Sequence, residues 1–508
     1  MIGRGIWLAV LLYACAEPPT PVVAPGSEVA TGEDAGVHDG ALASGRDSAQ
    51  PVTPGRDVGM EADGEAAPDA AQTADGGPDD DAGPTLDRGP EPDAAPAPDA
   101  GFERYRAGQI HSPITAYTGD VMRGIAAIEG VHDDRVFMKI GASSTVSRST
   151  LHCFAGDTVD LGEHDRLQTT LEYFLEGDAA GATPFDRVTV AARSGYSAGW
   201  AITGSPSPMD REIAAIHPRI AIVHYGTNDM GLLGPYQRGL VRFHERMMTL
   251  IETLVDQGIV PVLTGITRRG DSASANRWVH TFNAAIRGMA QAWQIPFIDL
   301  YLAVDHLDRN GLGADGLHLN GYGPGACLLT EEGLEHGYNV RNLIVLEAFD
   351  RMRRVLFTEE AALDAPGSPT LGAGTTASPF IIDALPFAHF RDTAASPQSA
   401  MDRYACDDAD ESGPEYIYRY ETDREVRLRA FVLDREEVDI DVHLLDETGT
   451  TEGCLERGHH QVEGTVGPGV YHFALDSWVD GADRAQSGAY LFLLVECDPD
   501  HSACDARL

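Results

Sequence analysis

The sequence predicts a parallel α/β sheet wrapped by helices on both faces, followed by an antiparallel β-sandwich, with a long unstructured segment ahead of both. Three observations carry this reading. Between Phe102 and residue 357, short runs that are nearly continuously apolar alternate with stretches of helical periodicity, as strands buried on both faces and joined by crossover helices require. Beyond residue 379 the pattern becomes alternation, as at Val426, Leu428, Ala430 and Val432, and again at Val438, Ile440, Val442 and Leu444. Residues 16–101 are built from Ala, Pro, Gly and Asp, with almost no large apolar residue that could pay for ordering the chain.

At the amino terminus a short basic start, Met1 to Arg4, precedes an apolar run from Gly5 to Ala14 that is too short to remain as a membrane-spanning helix. Leu12-Tyr13-Ala14-Cys15 resembles a bacterial lipobox. Residues 1–14 are therefore expected to be removed and Cys15 to carry lipid, holding the protein to a membrane of the bacterial cell envelope, outside the cytoplasm. Residues 15–101 then form a tether with a mean reach of roughly 50 Å. The run Asp79-Asp80-Asp81 is read as solvated spacer. A net charge of −42 excludes nucleic acid as a partner, because phosphates would be repelled.

Seven cysteines fit an exported chain. With Cys15 set aside, Cys153, Cys327, Cys406, Cys454, Cys497 and Cys504 form an even set, which in an oxidising compartment reads as disulfides. None has zinc-ligand spacing, so no structural metal is expected.

Within the α/β part the expected strands are Val136–Ile140, Val188–Ala192, Ile220–Tyr225, Ile259–Ile266 and Ile295–Leu300. Gly239–Val255 and Trp278–Trp293 carry apolar residues at helical spacing. Residues 358–379 form a linker and 380–508 the sandwich, in which the acidic run from Asp407 to Glu411 is read as a solvated loop. Ligands of parallel sheets bind beyond the carboxyl ends of the strands. Small or polar clusters stand there: Gly141-Ala142-Ser143, then Ser194-Gly195-Tyr196, then Gly226-Thr227-Asn228-Asp229. Asp315-Gly316-Leu317-His318 follows the last strand, and a helical turn would put its carboxylate and imidazole on one side.

Acyl transfer needs these groups. A serine hydroxyl attacks well only when a neutral histidine takes its proton, and a carboxylate must hold that histidine's tautomer. The oxyanion needs fixed donors, here the amides of Ser143 and Gly195 and the side-chain amide of Asn228.

The four clusters resemble blocks I, II, III and V of the SGNH (GDSL-like) hydrolases, over residues 102–355. The resemblance implies a flavodoxin-like sheet and ester hydrolysis without metal or organic cofactor. Ser143 would be the nucleophile, His318 the base, Asp315 its orienting carboxylate, and Gly195 and Asn228 oxyanion donors, with Gly199 an alternative to Gly195. The substrate would be a small-molecule or glycan ester. Block I usually reads Gly-Asp-Ser, and Ala142 replaces its aspartate; a non-catalytic scaffold acting as a surface-binding module is the competing expectation. The segments Val438–Leu445, Gly467–Phe473 and Ser487–Leu491 resemble bacterial pre-peptidase C-terminal domains, which are accessory sandwiches.

Because Ser143 and His318 must meet, Cys153, ten residues past the one, and Cys327, nine past the other, are brought near each other as well. A disulfide between them is expected.

Overall fold

A computed structural model describes residues 102–497, apart from 232–234, 359 and 436. Cys15, the tether and Cys504 lie outside the described residues.

The α/β part is built on a four-stranded parallel sheet, β1 (Asp133–Gly141), β2 (Pro218–His224), β3 (Val260–Thr264) and β4 (Phe297–Ile298), in the order β1-β2-β3-β4. Every residue of β3 is buried, as is all of β1 from Val136 onward, which is why these strands read as nearly continuous apolar runs. The helices Tyr236–Asp256 and Val279–Trp293 cover the periodic segments expected to be helical. Strand β4 is shorter than Ile295–Leu300 because Asp299 caps a new helix, Leu300–Val304, through the amide of Leu302 at 2.9 Å.

Val188–Ala192 is not a strand. Only Ala192 bridges to Gly141, and Val188 and Val190 are 76% and 44% exposed. Side chains take the backbone groups a ladder would use: the Glu212 carboxylate accepts from the Val190 amide at 3.1 Å, and the Thr189 hydroxyl from the Ala191 amide at 3.0 Å. The segment nevertheless runs parallel beside β1, where a second strand would give the flavodoxin-like order 2-1-3-4-5.

The sandwich comprises β5 (Phe380–Ile382), β6 (Phe387–Asp392), β7 (Glu415–Thr422), β8 (Val426–Leu433), β9 (Ile440–Leu445), β10 (Cys454–Gly458), β11 (Gln461–Val466), β12 (Gly469–Ser477) and β13 (Ala489–Glu496). One sheet runs β10-β9-β12-β7-β5 and the other β11-β8-β13-β6; only β5 and β7 pair in parallel. Val426, Leu428, Ala430 and Val432 face the core between the sheets, as their alternation predicts.

The opposite face of the second sheet is also buried. Phe431, Leu433, Leu491 and Leu493 join the core of the α/β part. The contact runs along the Val279–Trp293 helix, where Gly288 packs against Leu491 and Ala388. Arg287 and Gln291 on the same helix donate to the carbonyls of Pro386 and Ala388. In the acidic run, Glu411 is fully buried rather than solvated.

Cys153 and Cys327 are joined by a disulfide, as are Cys406 and Cys454, and Cys497 is disulfide-bonded. Beside the first bridge, buried Asn342 accepts from the Leu151 amide at 2.9 Å and donates to the carbonyls of Ser149 and Ala326. The bridge spans 174 residues of chain. Replacing both cysteines by serine is expected to cost roughly 4–5 kcal/mol in the loop-entropy account, read as a lower urea midpoint.

Candidate active site

At the carboxyl end of β1, a Cβ on Gly141 would lie 2.2 Å from the Thr145 hydroxyl and 2.8 Å from the carbonyl of His224, so only glycine fits between the two strand ends. Ala142 caps the one-turn helix Ser143–Val146 without a side-chain bond, and Ser143 opens that helix. At the end of β2 the chain turns at Gly226, with φ +125°, a conformation that favours glycine, and presents Asn228 to the same cleft.

Ser143, Asn228, Leu317 and His318 line one cleft with Tyr225 and Thr267. His318 Nε2 lies 2.8 Å from Ser143 Oγ, and His318 Nδ1 lies 2.7 Å from Asp315 Oδ2. An ionised carboxylate can only accept, so Nδ1 carries the imidazole proton and Nε2 is left to accept from the serine hydroxyl. The hydrogen bond from His318, aided by the amide of Leu317, holds the Asp315 carboxyl down at about 2.

Asp315 and His318 do not share a helical turn. They sit on a tight loop closed by an isolated bridge between Leu312 and Leu319, with Gly316 at φ +68°. Asp315 Oδ1 accepts from the amides of Leu317 and His318, both at 3.0 Å, and so organises the loop that carries its own partner.

Asn228 Nδ2 donates to the Tyr196 carbonyl at 3.0 Å, and the second hydrogen of that amide remains available to the cleft. Gly195, at φ +81°, precedes Tyr196 but does not itself line the cleft around Ser143. Gly199 lies further off, on the Ala198–Ile202 helix, against the Arg246 guanidinium.

Three positioning groups stand behind these residues: Asp229, which closes the third sequence cluster, and Arg269 and Arg341, which carry no local sequence signal. Asp229 is buried and accepts from the amides of Ala198 and Gly226, at 3.0 and 3.1 Å, tying the second cluster to the third; burial pushes its carboxyl up to about 6. Arg269 holds the Thr227 carbonyl at 3.0 Å and pairs with Asp271, whose amide donates to Gly316 in the loop of Asp315. Fully buried Arg341 donates to the Ser144 carbonyl at 3.0 Å, beneath the serine turn.

Residues 155–324 match the GDSL-like lipase/acylhydrolase family. The matched region takes in Gly195, Asn228, Asp315 and His318 and starts downstream of Ser143. Among solved structures, a GDSL-like lipase from Bacteroides thetaiotaomicron is 15% identical, with 46% of this chain and 98% of that one covered and a TM-score of 0.29. An acetylxylan esterase from Geobacillus stearothermophilus is 13% identical, covering 44% and 96%, with a TM-score of 0.29. The pre-peptidase C-terminal domain of a Bacillus anthracis collagenase is 13% identical, covering 22% and 89%, with a TM-score of 0.15. No curated protein matches the chain by sequence.

Because Asp315 stays ionised down to about pH 2, its carboxylate is expected to keep accepting from His318 at all working pH values. Asp315→Asn, which cannot hold that tautomer, is expected to lower kcat/KM across the whole pH profile, and an unchanged profile would contradict this.

Proposed function

We propose that the protein is a serine esterase of the cell envelope that hydrolyses carboxylic esters of small molecules or glycans. The observation that carries this is the continuous relay from Asp315 through His318 to Ser143, at 2.7 and 2.8 Å, in a cleft that also holds the Asn228 amide. In this reading Ser143 Oγ attacks the ester carbonyl as His318 Nε2 takes the hydroxyl proton. Asn228 and the backbone amide of Ser143 meet the oxyanion, and His318 passes the proton to the departing alkoxide. Water then enters by the same route in reverse and frees the acid.

The Ser143 to His318 contact forms with alanine at position 142, which supports an enzyme over a binding scaffold. The test is hydrolysis of p-nitrophenyl acetate by the purified protein, followed by a panel of acetylated oligosaccharides and longer acyl esters; a protein inert towards all of them would overturn the proposal.

A lipid anchor at Cys15 is the second part of the reading, supported by the basic start and the Leu12 to Cys15 pattern. Full-length protein is expected to partition into the detergent phase of a Triton X-114 separation and Cys15→Ala into the aqueous phase. Equal partitioning of the two would remove the anchor.

A further inference from the structure

The sandwich carries a polar cluster that the hydrolase reading does not use. On β9 the alternation sends Ile440, Val442 and Leu444 into the core and Asp441 and His443 to the other face, where the chain around residues 401–411 covers them. That covering segment is fixed in two ways. The Cys406–Cys454 disulfide ties it to β10, and Tyr404, stacked on the His443 ring at 3.6 Å, donates to the Asp476 carboxylate at 2.6 Å. It brings Glu411 against β9. Asp441, His443 and Glu411 are all fully buried, and one ligand-capable atom from each lies within 4.8 Å of the others.

Both ring nitrogens of His443 lack a hydrogen-bond partner among the described residues, and the Glu411 carboxyl has only the Asp441 carboxyl with which to share a proton. The nearest approach between these two side chains, His443 Nε2 to Glu411 Oε1, is 3.9 Å, too long for a hydrogen bond. Buried polar groups are almost always satisfied, and an imidazole and a carboxyl that face one another at this distance without bonding call for a ligand. Charge points to its sign. Asp407, Glu411, Asp439 and Asp441 converge here, and the cations facing them are Arg457, paired with Asp407 and Asp441 and 3.8 Å from Glu411, and His459, paired with Asp439 and Asp441. Negative charge is left over.

We propose that Glu411, Asp441 and His443 bind a divalent transition-metal ion of the zinc class, which pins the 401–411 segment to β9. One imidazole nitrogen with two carboxylates is a donor set for zinc, manganese or iron(II). Calcium takes six to eight oxygens instead. The cysteine spacing gives no hint of such a site, because its ligands are two residues of one strand and a glutamate thirty residues upstream.

The test uses the full chain, dialysed against EDTA and titrated with zinc chloride at neutral pH, with binding read by calorimetry and Tm by scanning calorimetry. A single zinc equivalent and a higher Tm are expected. Both should be lost, with affinity at least tenfold weaker, in His443→Ala and in Glu411→Gln. Glu411→Gln keeps the side-chain shape and decides the matter should His443→Ala fail to fold. Absence of stoichiometric zinc binding would overturn the proposal and leave a proton shared between Glu411 and Asp441. Zinc binding that survives Glu411→Gln, or a response to calcium alone that survives His443→Ala, would overturn it equally.

Discussion

Replacing Ser143 by alanine is expected to lower kcat/KM on p-nitrophenyl acetate by about 10⁴-fold or more, with the fold and Tm unchanged. The hydroxyl is the atom that would form the acyl bond, and without it only the oxyanion donors and binding act on the ester. His318→Ala should cost about as much, since an unactivated serine is nearly as poor a nucleophile as none, and the double variant should be no worse than either single one. Asn228→Ala removes one donor and is expected to cost about 10²- to 10³-fold. A Ser143→Ala enzyme retaining a tenth of the activity would contradict the role given to that residue.

The second large effect concerns stability. Arg429, on β8, is buried; it contacts the Glu463 carboxylate on β11, donates to the Thr281 hydroxyl at 2.8 Å and lies 3.6 Å over the Trp278 ring. It therefore joins the sandwich to the Val279–Trp293 helix. Truncating Glu463 to alanine leaves a buried guanidinium without its carboxylate, at an expected cost of about 3–5 kcal/mol in urea unfolding. Replacing both partners by apolar residues, Arg429→Met with Glu463→Leu, should be far milder, because no buried charge is stranded. Equal losses in the two variants would contradict this account.

What the sequence disclosed and what it hid divide along one physical line. Val136–Ile140 and Ile220–Tyr225 could be read as strands because burial on both faces leaves a local mark, a run that is apolar but for Lys139 in the one and His224 in the other. Ser143, Asn228, Asp315 and His318 could be singled out because their chemistry sits in short clusters after strands and in loops. Val188–Ala192 looked like a strand because its residue types fit one, while Glu212, distant in sequence, claims the Val190 amide. Arg269 and Arg341 act on backbone atoms of other segments, and such bonds carry no signature at the residue that makes them. The docking of the sandwich was hidden for a related reason. Alternation at Val426, Leu428, Ala430 and Val432 identifies an inner face, and nothing local says that Phe431 and Leu433 on the other face are covered by a helix of the α/β part. Glu411 stands in an acidic run whose composition reads as solvated, and only the covering of β9 reveals it as buried.

The central claim is that Ser143 is an activated nucleophile, and covalent capture tests it most directly. A fluorophosphonate reacts at phosphorus with a serine oxygen, expelling fluoride, only where a neighbouring base accepts the hydroxyl proton. Incubated with such a probe and digested, the protein is expected to yield one labelled peptide, with the adduct on Ser143, and labelling should be lost in both Ser143→Ala and His318→Ala. An unlabelled wild type, or an adduct on Ser144 that persists in Ser143→Ala, would contradict the account.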